Sequence, residues 1–434
     1  MNYYIIPKNN FNIKLDLKTK TDIVKPYISY SLIFYLNDIY TQLFKIQKHN
    51  QTGNNENGSQ EITNNDKINS SEEITIDYIN KIVNPFEFIH TNVPGSLISV
   101  SKVKPDSNIF FELMEIFQLF NVNEIIGLKH KINIAHLTHN HTSTNYLLNM
   151  LREDNEDNII CEDFNYETIC NLFITNKIST KLDLIICEFS VQDYNDTNNY
   201  IKNMLLLFAI IIKYQSNQGT CIIKIDNIFY KPIVDILFML SALYEKVYLI
   251  KPIISNITKG ERYIICKTFN SSVLDRNNLL KQTEEHICHQ IRHQFFDKHV
   301  YSVINNDIPY YFLNKLEESN SVIGQQQLEA YDQIINIFKN KNRDDKIETL
   351  KRNHIQKCIQ WCEKNQLPHN KFIDKINIFL TSKKKEIEIV EKTGDLEKTG
   401  DLEKTGDLEK TGDLEKTGEL EKTEMYHNKF TDQQ

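Results

Sequence analysis

The stretch from Gly219 to Phe269 constrains the fold of this chain most strongly. It opens with a short apolar run that ends on Lys224, continues through a segment with apolar residues at helical spacing, and closes with two further apolar runs. This pattern predicts a strand, a helix, a strand, a tight connection and a last strand. The strands are apolar at nearly every position, which is typical of a sheet covered on both faces. We therefore predict an α/β fold.

Two charged residues mark the ends of these predicted strands. Lys224 ends the first strand, and Glu261 opens the last one. Ligands of open α/β sheets bind beyond the carboxyl ends of the strands, so Lys224 is a candidate site residue. A lone lysine at a strand end is more often structural, with its ammonium group reaching water. On these two residues alone, both interpretations stay open.

A longer pattern resembles a known family. Lys224 is followed by the motif Lys251-Pro252-x-x-Ser255 and then by Glu261-x-Tyr263. This order and spacing resemble the last third of the FtsJ-like (RrmJ-like) ribose 2'-O-methyltransferases, especially the divergent members encoded by large DNA viruses. The resemblance implies a Rossmann-like, S-adenosylmethionine-dependent methyltransferase sheet with helices on both faces, an FtsJ-like domain over residues 76–270 and an α-helical C-terminal extension. It also implies S-adenosylmethionine as cofactor and RNA, including capped mRNA, as partner.

The resemblance assigns catalytic roles to three residues. Enzymes of this family use a Lys-Asp-Lys-Glu tetrad, in which the second lysine is the general base. Lys224 stands at that lysine and Glu261 at the glutamate that orients it. Glu188, at the end of the predicted strand Leu182–Glu188, stands where the family has an aspartate. One extra methylene moves a carboxylate by more than about an ångström, which is enough to slow a catalysed reaction.

The first lysine of the tetrad has no clear counterpart. In the family it lies on a helix upstream of the cofactor loop. We interpret the segment from Phe34 to Phe44 as that helix, and it offers Asn37 or Asp38 at the expected place. Lys45 and Lys81 are the candidate substitutes.

The predicted cofactor-binding residues are Asn92, Pro94, Gly95, Ser96 and Asp163. The first four follow an apolar run and resemble the family's cofactor strand and Ala-Pro-Gly-Gly loop, with Ser96 in place of the second glycine. Glycine permits close approach of the backbone to a ligand, and a following helix offers free N–H groups to a carboxylate. Asp163 resembles the aspartate that contacts the adenine edge. Alternatively, it caps a helix that begins near Tyr166.

Three histidines lie close together in the sequence. His136, His139 and His141 fall within six residues, but no Cys-x-x-Cys motif completes a zinc set nearby. We interpret them as part of a polar loop and predict no metal. Two further groups at helical spacing, Cys288 with His289 and His293, and Cys358 with Cys362, are likewise interpreted as core cysteines and surface histidines.

The remaining segments differ in composition. Residues 1–46 form an N-terminal segment with a helix predicted from Tyr27 to Ile46, and residues 47–75 are a flexible low-complexity insertion. Residues 271–388 form the helical extension, with helices predicted at Leu279–Phe296, Gln325–Phe338, Lys346–Cys362 and His369–Leu380. Residues 389–434 repeat a Glu-Lys-Thr-Gly-Asp-Leu unit and are predicted to be disordered.

Composition limits the environment more than the activity. Eight cysteines without a paired framework indicate a reducing compartment, so we expect a cytoplasmic protein. The resemblance to viral members implies a host cytoplasm, a viral factory or a virion. The longest apolar run, Met204 to Ile212, is too short to cross a bilayer, and we predict no membrane partner. The net charge is −8, and residues 391–434 carry 13 acidic residues and seven lysines. The rest is therefore close to neutral, and only a local basic face would hold RNA.

Two functions follow from these residues. The first is an S-adenosylmethionine-dependent RNA ribose 2'-O-methyltransferase that acts on capped mRNA or another RNA. The second is a catalytically eroded FtsJ-like fold that serves as an RNA-binding or stimulatory subunit of a capping complex. The changed tetrad and cofactor loop suit the second function, whereas the order of Lys224 and Glu261 suits the first.

Overall fold

A seven-stranded sheet lies at the centre of the described part of the chain. The computed structural model describes residues 3–10, 12–53, 76–122, 127, 130–152, 156–164, 167–168, 171–172, 178–189, 196–288, 298–340, 344–370 and 372. The predicted insertion beyond residue 53 and the predicted disordered tail at 389–434 lie outside these residues. No helix in the described ranges is both long and apolar enough to span a membrane.

The elements alternate between strands and helices through the middle of the chain. They are β1 (Tyr3–Ile6), β2 (Leu15–Lys20), α1 (Tyr30–Gly53), α2 (Ile76–Val83), α3 (Ile109–Leu119), β3 (Asn133–Leu137), α4 (Thr142–Arg152), β4 (Asn158–Glu162), β5 (Leu182–Glu188), α5 (Thr197–Tyr214), β6 (Gln215–Ile225), α6 (Lys231–Leu243), β7 (Tyr244–Ile250), β8 (Arg262–Phe269), α7 (Ser271–Arg276), α8 (Leu279–Thr283), β9 (His299–Ile304), α9 (Tyr310–Lys339) and α10 (Asp344–Lys364). A 3₁₀ turn (Glu87–Ile89) and a π-helical turn (Glu284–Cys288) complete the set.

The strand order of the large sheet is β1-β7-β8-β6-β5-β3-β4. Strands β4, β3, β5 and β6 are parallel, whereas β8, β7 and β1 pair in antiparallel fashion. From β3 the chain first adds β4 on one side and then β5 on the other. The order therefore reverses between β3 and β5, and this switch point is where open α/β sheets bind ligands.

Side chains from the strands enter two separate cores because neighbouring residues of a strand point to opposite faces. Ile185 and Ile223 pack in the core that contains α5 and α6, whereas Ile186 and Ile222 pack in the core that contains α3, α4 and α10. The predicted α/β sheet with helices on both faces is confirmed.

The predicted strand–helix–strand–strand unit at Gly219–Phe269 is also confirmed, as β6, α6, β7 and β8. The strand prediction for Leu182–Glu188 matches β5. In the C-terminal extension, α9 begins fifteen residues before the predicted Gln325 and α10 closely matches Lys346–Cys362.

Three parts of the chain contain elements that the sequence analysis did not predict. The N-terminal segment is not only helical, because β1 extends the large sheet and β2 pairs with β9 in a second sheet. Helix α1 runs to Gly53, seven residues past the predicted end. The predicted helical extension is confirmed by α9 and α10, and it contributes the strand β9 in addition. Short strands at the edge of a sheet or in a two-stranded sheet carry too few apolar residues to show a clear period.

The other helix predictions of the extension are tested only in part. Residues Leu279–Phe296 begin as α8 and continue into the π-helical turn, after which residues 289–297 fall outside the description. Most of the predicted helix His369–Leu380 also lies outside the described residues.

Candidate active site

A cavity opens at the switch point of the sheet. Its volume is about 390 Å³, within the usual range of small-molecule sites. It lies beyond the carboxyl ends of β3, β5 and β6, under α3 and the connection between β7 and β8. The lining residues are Asn84, Phe86, Glu87, His90, Asn108, Ile109, Glu112, Thr138, His139, Asn140, Glu188, Phe189, Lys224, Ile254, Asn256, Lys259 and Glu261.

Lys224 carries the buried positive charge of this cavity. Its Nζ donates to Glu112 Oε2 at 2.8 Å and lies 3.3 Å from Glu261 Oε2. Burial lowers the pKa of Lys224, but the carboxylates of Glu112 and Glu261, with Glu188 farther away, raise it above its ordinary value. In the protein alone, Lys224 is therefore a protonated ammonium group at neutral pH.

Glu261 has a second cation beside it. Its Oε1 lies 3.5 Å from the ammonium group of Lys259, whose side chain is half exposed at the rim. Burial raises the pKa of Glu261, but Lys224 and Lys259 together lower it below its ordinary value. Glu261 and Lys224 are far apart in the chain, but the structure brings their side chains together, as the sequence analysis expected.

Glu112 is the residue that the sequence did not reveal. It lies on α3, the helix directly upstream of β3, and its Oε2 also accepts a hydrogen bond of 2.6 Å from the Tyr263 hydroxyl. By its position on the helix before the first parallel strand, Glu112 stands where the family's first tetrad lysine was expected. The signal was present, because Glu112 shares the buried side of α3 with Ile109 and Leu113, and a carboxylate on such a face needs a partner.

The segment first considered for that lysine lies elsewhere. Asn37 and Asp38 are exposed on α1, where their backbone and side-chain oxygens accept hydrogen bonds from residues one turn further along. Lys45 and Lys81 are exposed as well. None of the four lines the cavity, so the interpretation of Phe34–Phe44 as the tetrad helix is wrong.

Glu188 lines the cavity but is held from the side of β3. It is the register neighbour of Lys224 on the adjacent parallel strand. Its carboxylate accepts hydrogen bonds from the hydroxyls of Thr144 at 3.0 Å and Thr138 at 3.3 Å, and His136 Nε2 lies 3.3 Å from Oε1. Glu188 therefore faces the ammonium group of Lys224 only at longer range, and its orientation is fixed by three neighbours.

Lys251, from the family-like Lys-Pro motif, is not among the residues that line the cavity. Its Nζ donates to the carbonyl oxygen of Lys259. Burial lowers its pKa, and the nearby Arg262 guanidinium lowers it further, to about 7. Lys251 thus supports the connection between β7 and β8.

The structure does not bring Asn92, Pro94, Gly95 and Ser96 to the cavity. The tight turn exists, since Gly95 has φ of +81° and Ser96 N donates to Val93 O at 2.8 Å. However, a 3₁₀ turn and irregular chain precede it instead of the predicted strand, and no helix begins directly after it. These four residues therefore lack the strand–loop–helix setting on which their assignment was based. A Pro-Gly pair signals a turn wherever it occurs, which explains the error.

The loop at the switch point is Thr138-His139-Asn140-His141, between β3 and α4. Asn140 caps α4, because its Oδ1 accepts from the Thr142 backbone N–H at 3.1 Å. Asp163, just after β4, is largely exposed and lies 3.7 Å from His141 Nε2. It does not line the cavity, and its helix-capping alternative involves residues outside the description.

The residues around this loop can receive part of a nucleoside-amino acid cofactor. Helix α4 begins directly after this loop, and the N–H groups at the start of a helix suit a carboxylate. The wall adds the ring of Phe189 and the polar side chains of Thr138 and Asn140. The loop differs from the family pattern because it has no glycine, and His136 stands on β3 where the family has an acidic residue.

The central sheet has a Rossmann-like fold, and part of it matches a known family. Residues 140–269 match the family model described as FtsJ-like methyltransferase. The matched range includes Glu188, Lys224 and Glu261 and begins after α3 and β3. The glutamate on α3 and the histidine on β3 are thus outside the matched part.

Individual relatives are distant. The chain is 24% identical over 161 residues to a cap-specific mRNA (nucleoside-2'-O-)-methyltransferase 2 from Pongo abelii, a match that covers 37% of this chain and 20% of that protein. The chain therefore spans about a fifth of the length of that relative.

Two solved structures are similar over part of the chain. One is a ribosomal RNA methyltransferase from Plasmodium falciparum, with 15% identity, a TM-score of 0.29 and coverage of 38% of this chain and 97% of that one. The other is a probable spermidine synthase from Corynebacterium glutamicum, with 12% identity, a TM-score of 0.25 and coverage of 49% and 89%.

Proposed function

We propose that this chain is an S-adenosylmethionine-dependent RNA ribose 2'-O-methyltransferase, with capped mRNA as its substrate. The observation that carries the proposal is the convergence of Lys224 and Glu261 within 3.3 Å, beside Glu188, in a cavity at the switch point of the sheet. The matched FtsJ-like segment and the cap-specific relative support the reaction class and the substrate.

Each side chain has a defined task in this proposal. A ribose 2'-hydroxyl is a weak nucleophile at neutral pH, and its proton must be removed as the oxygen attacks. Lys224 is the group that takes this proton, and Glu261 fixes the direction of its Nζ. The cofactor would supply an electrophilic methyl group, and Thr138, Asn140 and the first turn of α4 would hold its amino acid end.

Glu112 sets the condition under which Lys224 can act. A lysine accepts a proton only in its neutral form, and the carboxylates around Lys224 favour the charged form. We therefore propose a slow enzyme whose activity rises toward alkaline pH. A positive charge placed in the cavity by a ligand would oppose the carboxylates and shift the amine toward its neutral form.

The carboxylate of Glu112 beside Lys224 supports a second candidate function. With a carboxylate where the family has a lysine, the site is suited to hold Lys224 as a permanent cation that contacts RNA phosphate without chemistry. The chain would then be an RNA-binding or stimulatory subunit of a capping complex.

Methyl transfer from labelled S-adenosylmethionine to capped RNA separates the two functions. We expect the unchanged chain to transfer methyl groups. The rate should fall by at least about a hundredfold in Lys224→Met, because general-base catalysis contributes that much. The rate of Lys231→Met should be unchanged. Lys231 is the matched control, since its ammonium group pairs with the buried Asp235 at 2.7 Å on α6, away from the cavity. RNA binding without transfer at any pH would favour the non-catalytic subunit.

A further inference from the structure

Three side chains that bind metals converge at the carboxyl ends of β3 and β4. His136, one residue before the end of β3, lies next to Cys161, because the two residues are register neighbours on the parallel pair. His141 lies at the end of the loop that follows β3. One ligand atom from each residue lies within 4.8 Å of the others.

The distance between the two rings suits a shared metal ion. His136 Nδ1 and His141 Nδ1 lie 3.4 Å apart. Two nitrogens on a tetrahedral zinc ion, each about 2.0–2.1 Å from the metal, are separated by about 3.4 Å. A single proton between the rings would give a similar distance, so the sulfur of Cys161 is the further feature that favours a metal.

The outer nitrogen of each ring faces a carboxylate. His136 Nε2 lies 3.3 Å from Glu188 Oε1, and His141 Nε2 lies 3.7 Å from Asp163 Oδ1. Histidines that ligate metals usually donate their second N–H to such a group, which fixes the ring and leaves the other nitrogen free to bind. The Asn145 amide lies 3.4 Å from Cys161 Sγ and holds the sulfur from the side of α4.

We propose that His136 Nδ1, His141 Nδ1 and Cys161 Sγ form a zinc site. Imidazole and thiolate are ligands that Zn²⁺ prefers, whereas Mg²⁺ and Ca²⁺ prefer oxygen. Three protein ligands leave the fourth position of the tetrahedron for a water molecule. His136 is fully buried, but His141 and Cys161 are only partly buried, so the ion has a path from solvent.

The site would join β3, β4 and the start of α4 at the edge of the candidate active site. Through Glu188, which contacts both His136 and the cavity, the metal would also fix one of the candidate catalytic carboxylates. The zinc proposal does not depend on methyl transfer, because the geometry of the three ligands stands without it.

Cobalt binding tests the site directly. The purified full chain is stripped with a chelator and titrated with Co²⁺, followed by Zn²⁺. We expect one equivalent of cobalt, with the visible bands of a tetrahedral ion and a thiolate-to-cobalt charge-transfer band, and full displacement by zinc. This absorption measurement requires neither RNA nor S-adenosylmethionine nor enzymatic activity.

Variants assign the signal to these residues. Cys161→Ser should remove the charge-transfer band, and His141→Ala should weaken binding by at least about tenfold. Glu188→Gln should weaken it by about 10–100-fold, as expected for a residue that orients a ligand. His139→Ala, an exposed histidine on the same loop, and Cys288→Ser, from the other Cys-His group in the sequence, should leave the titration unchanged.

Two results would overturn the proposal. One is the absence of stoichiometric cobalt binding by the stripped, folded chain. The other is a tetrahedral thiolate signal that persists in both Cys161→Ser and His141→Ala, or that disappears in Cys288→Ser. Circular dichroism of each variant identifies unfolded protein, and the conservative Cys161→Ser change keeps the test informative if His141→Ala does not fold.

Discussion

The substitution Glu112→Gln is expected to increase the fraction of Lys224 that is neutral, and so able to accept a proton, at neutral pH. Glutamine has the same shape as glutamate, and its oxygen can still accept the hydrogen bond from Tyr263. It removes a negative charge 2.8 Å from the Lys224 ammonium group. The loss of an opposite charge at such a distance lowers the pKa of a lysine by about 1–3 units, or about 1.4–4 kcal/mol of preference for the charged form.

The change in pKa translates into a change in rate. Below the pKa, the neutral fraction of Lys224 rises about 10–1,000-fold when the pKa falls by about 1–3 units. A weaker base also accepts a proton less readily, so we expect a net gain of about 3–30-fold in methyl transfer at neutral pH. The rising limb of the pH–rate profile should move to lower pH by about 1–3 units.

The assay is the initial rate of labelled methyl transfer to capped RNA across a pH series. Glu115→Gln is the matched control, because Glu115 is another buried glutamate of α3 that makes no contact with Lys224. Labelling of Lys224 by an amine-selective reagent over the same series gives its pKa without reference to activity. The reasoning is refuted if Glu112→Gln leaves the pKa of Lys224 unchanged, or lowers the rate as strongly as Lys224→Met does.

Three further predictions concern stability. Lys224→Met leaves Glu112 and Glu261 buried without their shared cation and should lower the free energy of unfolding in urea by about 3–5 kcal/mol. The double variant with Glu112→Gln should recover part of this loss, and the absence of any recovery would contradict the ion pair. Burial raises the pKa of Glu115 to about 7, so the folded state binds an extra proton between about pH 4.5 and 7, and stability should fall by about 3 kcal/mol as the pH rises through this window. Glu115→Gln should remove this slope, and an unchanged slope would assign it to another group. Gly324→Ala should destabilise the protein by about 1–3 kcal/mol because the new Cβ would clash with the Leu32 side chain, although alanine favours helices. Thermal unfolding should show that Leu32→Ala restores stability to this variant, and a stabilised Gly324→Ala would refute the clash.

Much of the sheet could be predicted because its strands are buried on both faces. Strand β5 and the unit from β6 to β8 have continuous apolar runs, and such runs leave few other placements for their residues. The edge strand β1 has only four residues, two of them exposed, and β2 and β9 form an isolated pair. Their positions depend on contacts with distant parts of the chain, which local periodicity does not contain.

The same distinction applies to the site. Lys224 and Glu261 both belong to a recognisable sequence motif. The resemblance to a family with that motif could therefore place the two residues together. Glu112 and the partners of Cys161 come together only through tertiary packing, across 112 residues in the first case. The sequence analysis assigned the cofactor loop to Pro94 and Gly95 because their sequence resembles the family's loop. The loop at the switch point is instead Thr138–His141, which contains no glycine.

The position of the transferred methyl group tests the central claim most directly. Capped RNA is incubated with the chain and methyl-labelled S-adenosylmethionine, digested to nucleosides and analysed by mass spectrometry. The account predicts label on a ribose 2'-oxygen, absent when that nucleotide carries a 2'-deoxyribose and absent with Lys224→Met. Label on a base, or ribose label that persists with Lys224→Met, would contradict the assignment of Lys224 and its cavity as a ribose-methylating site.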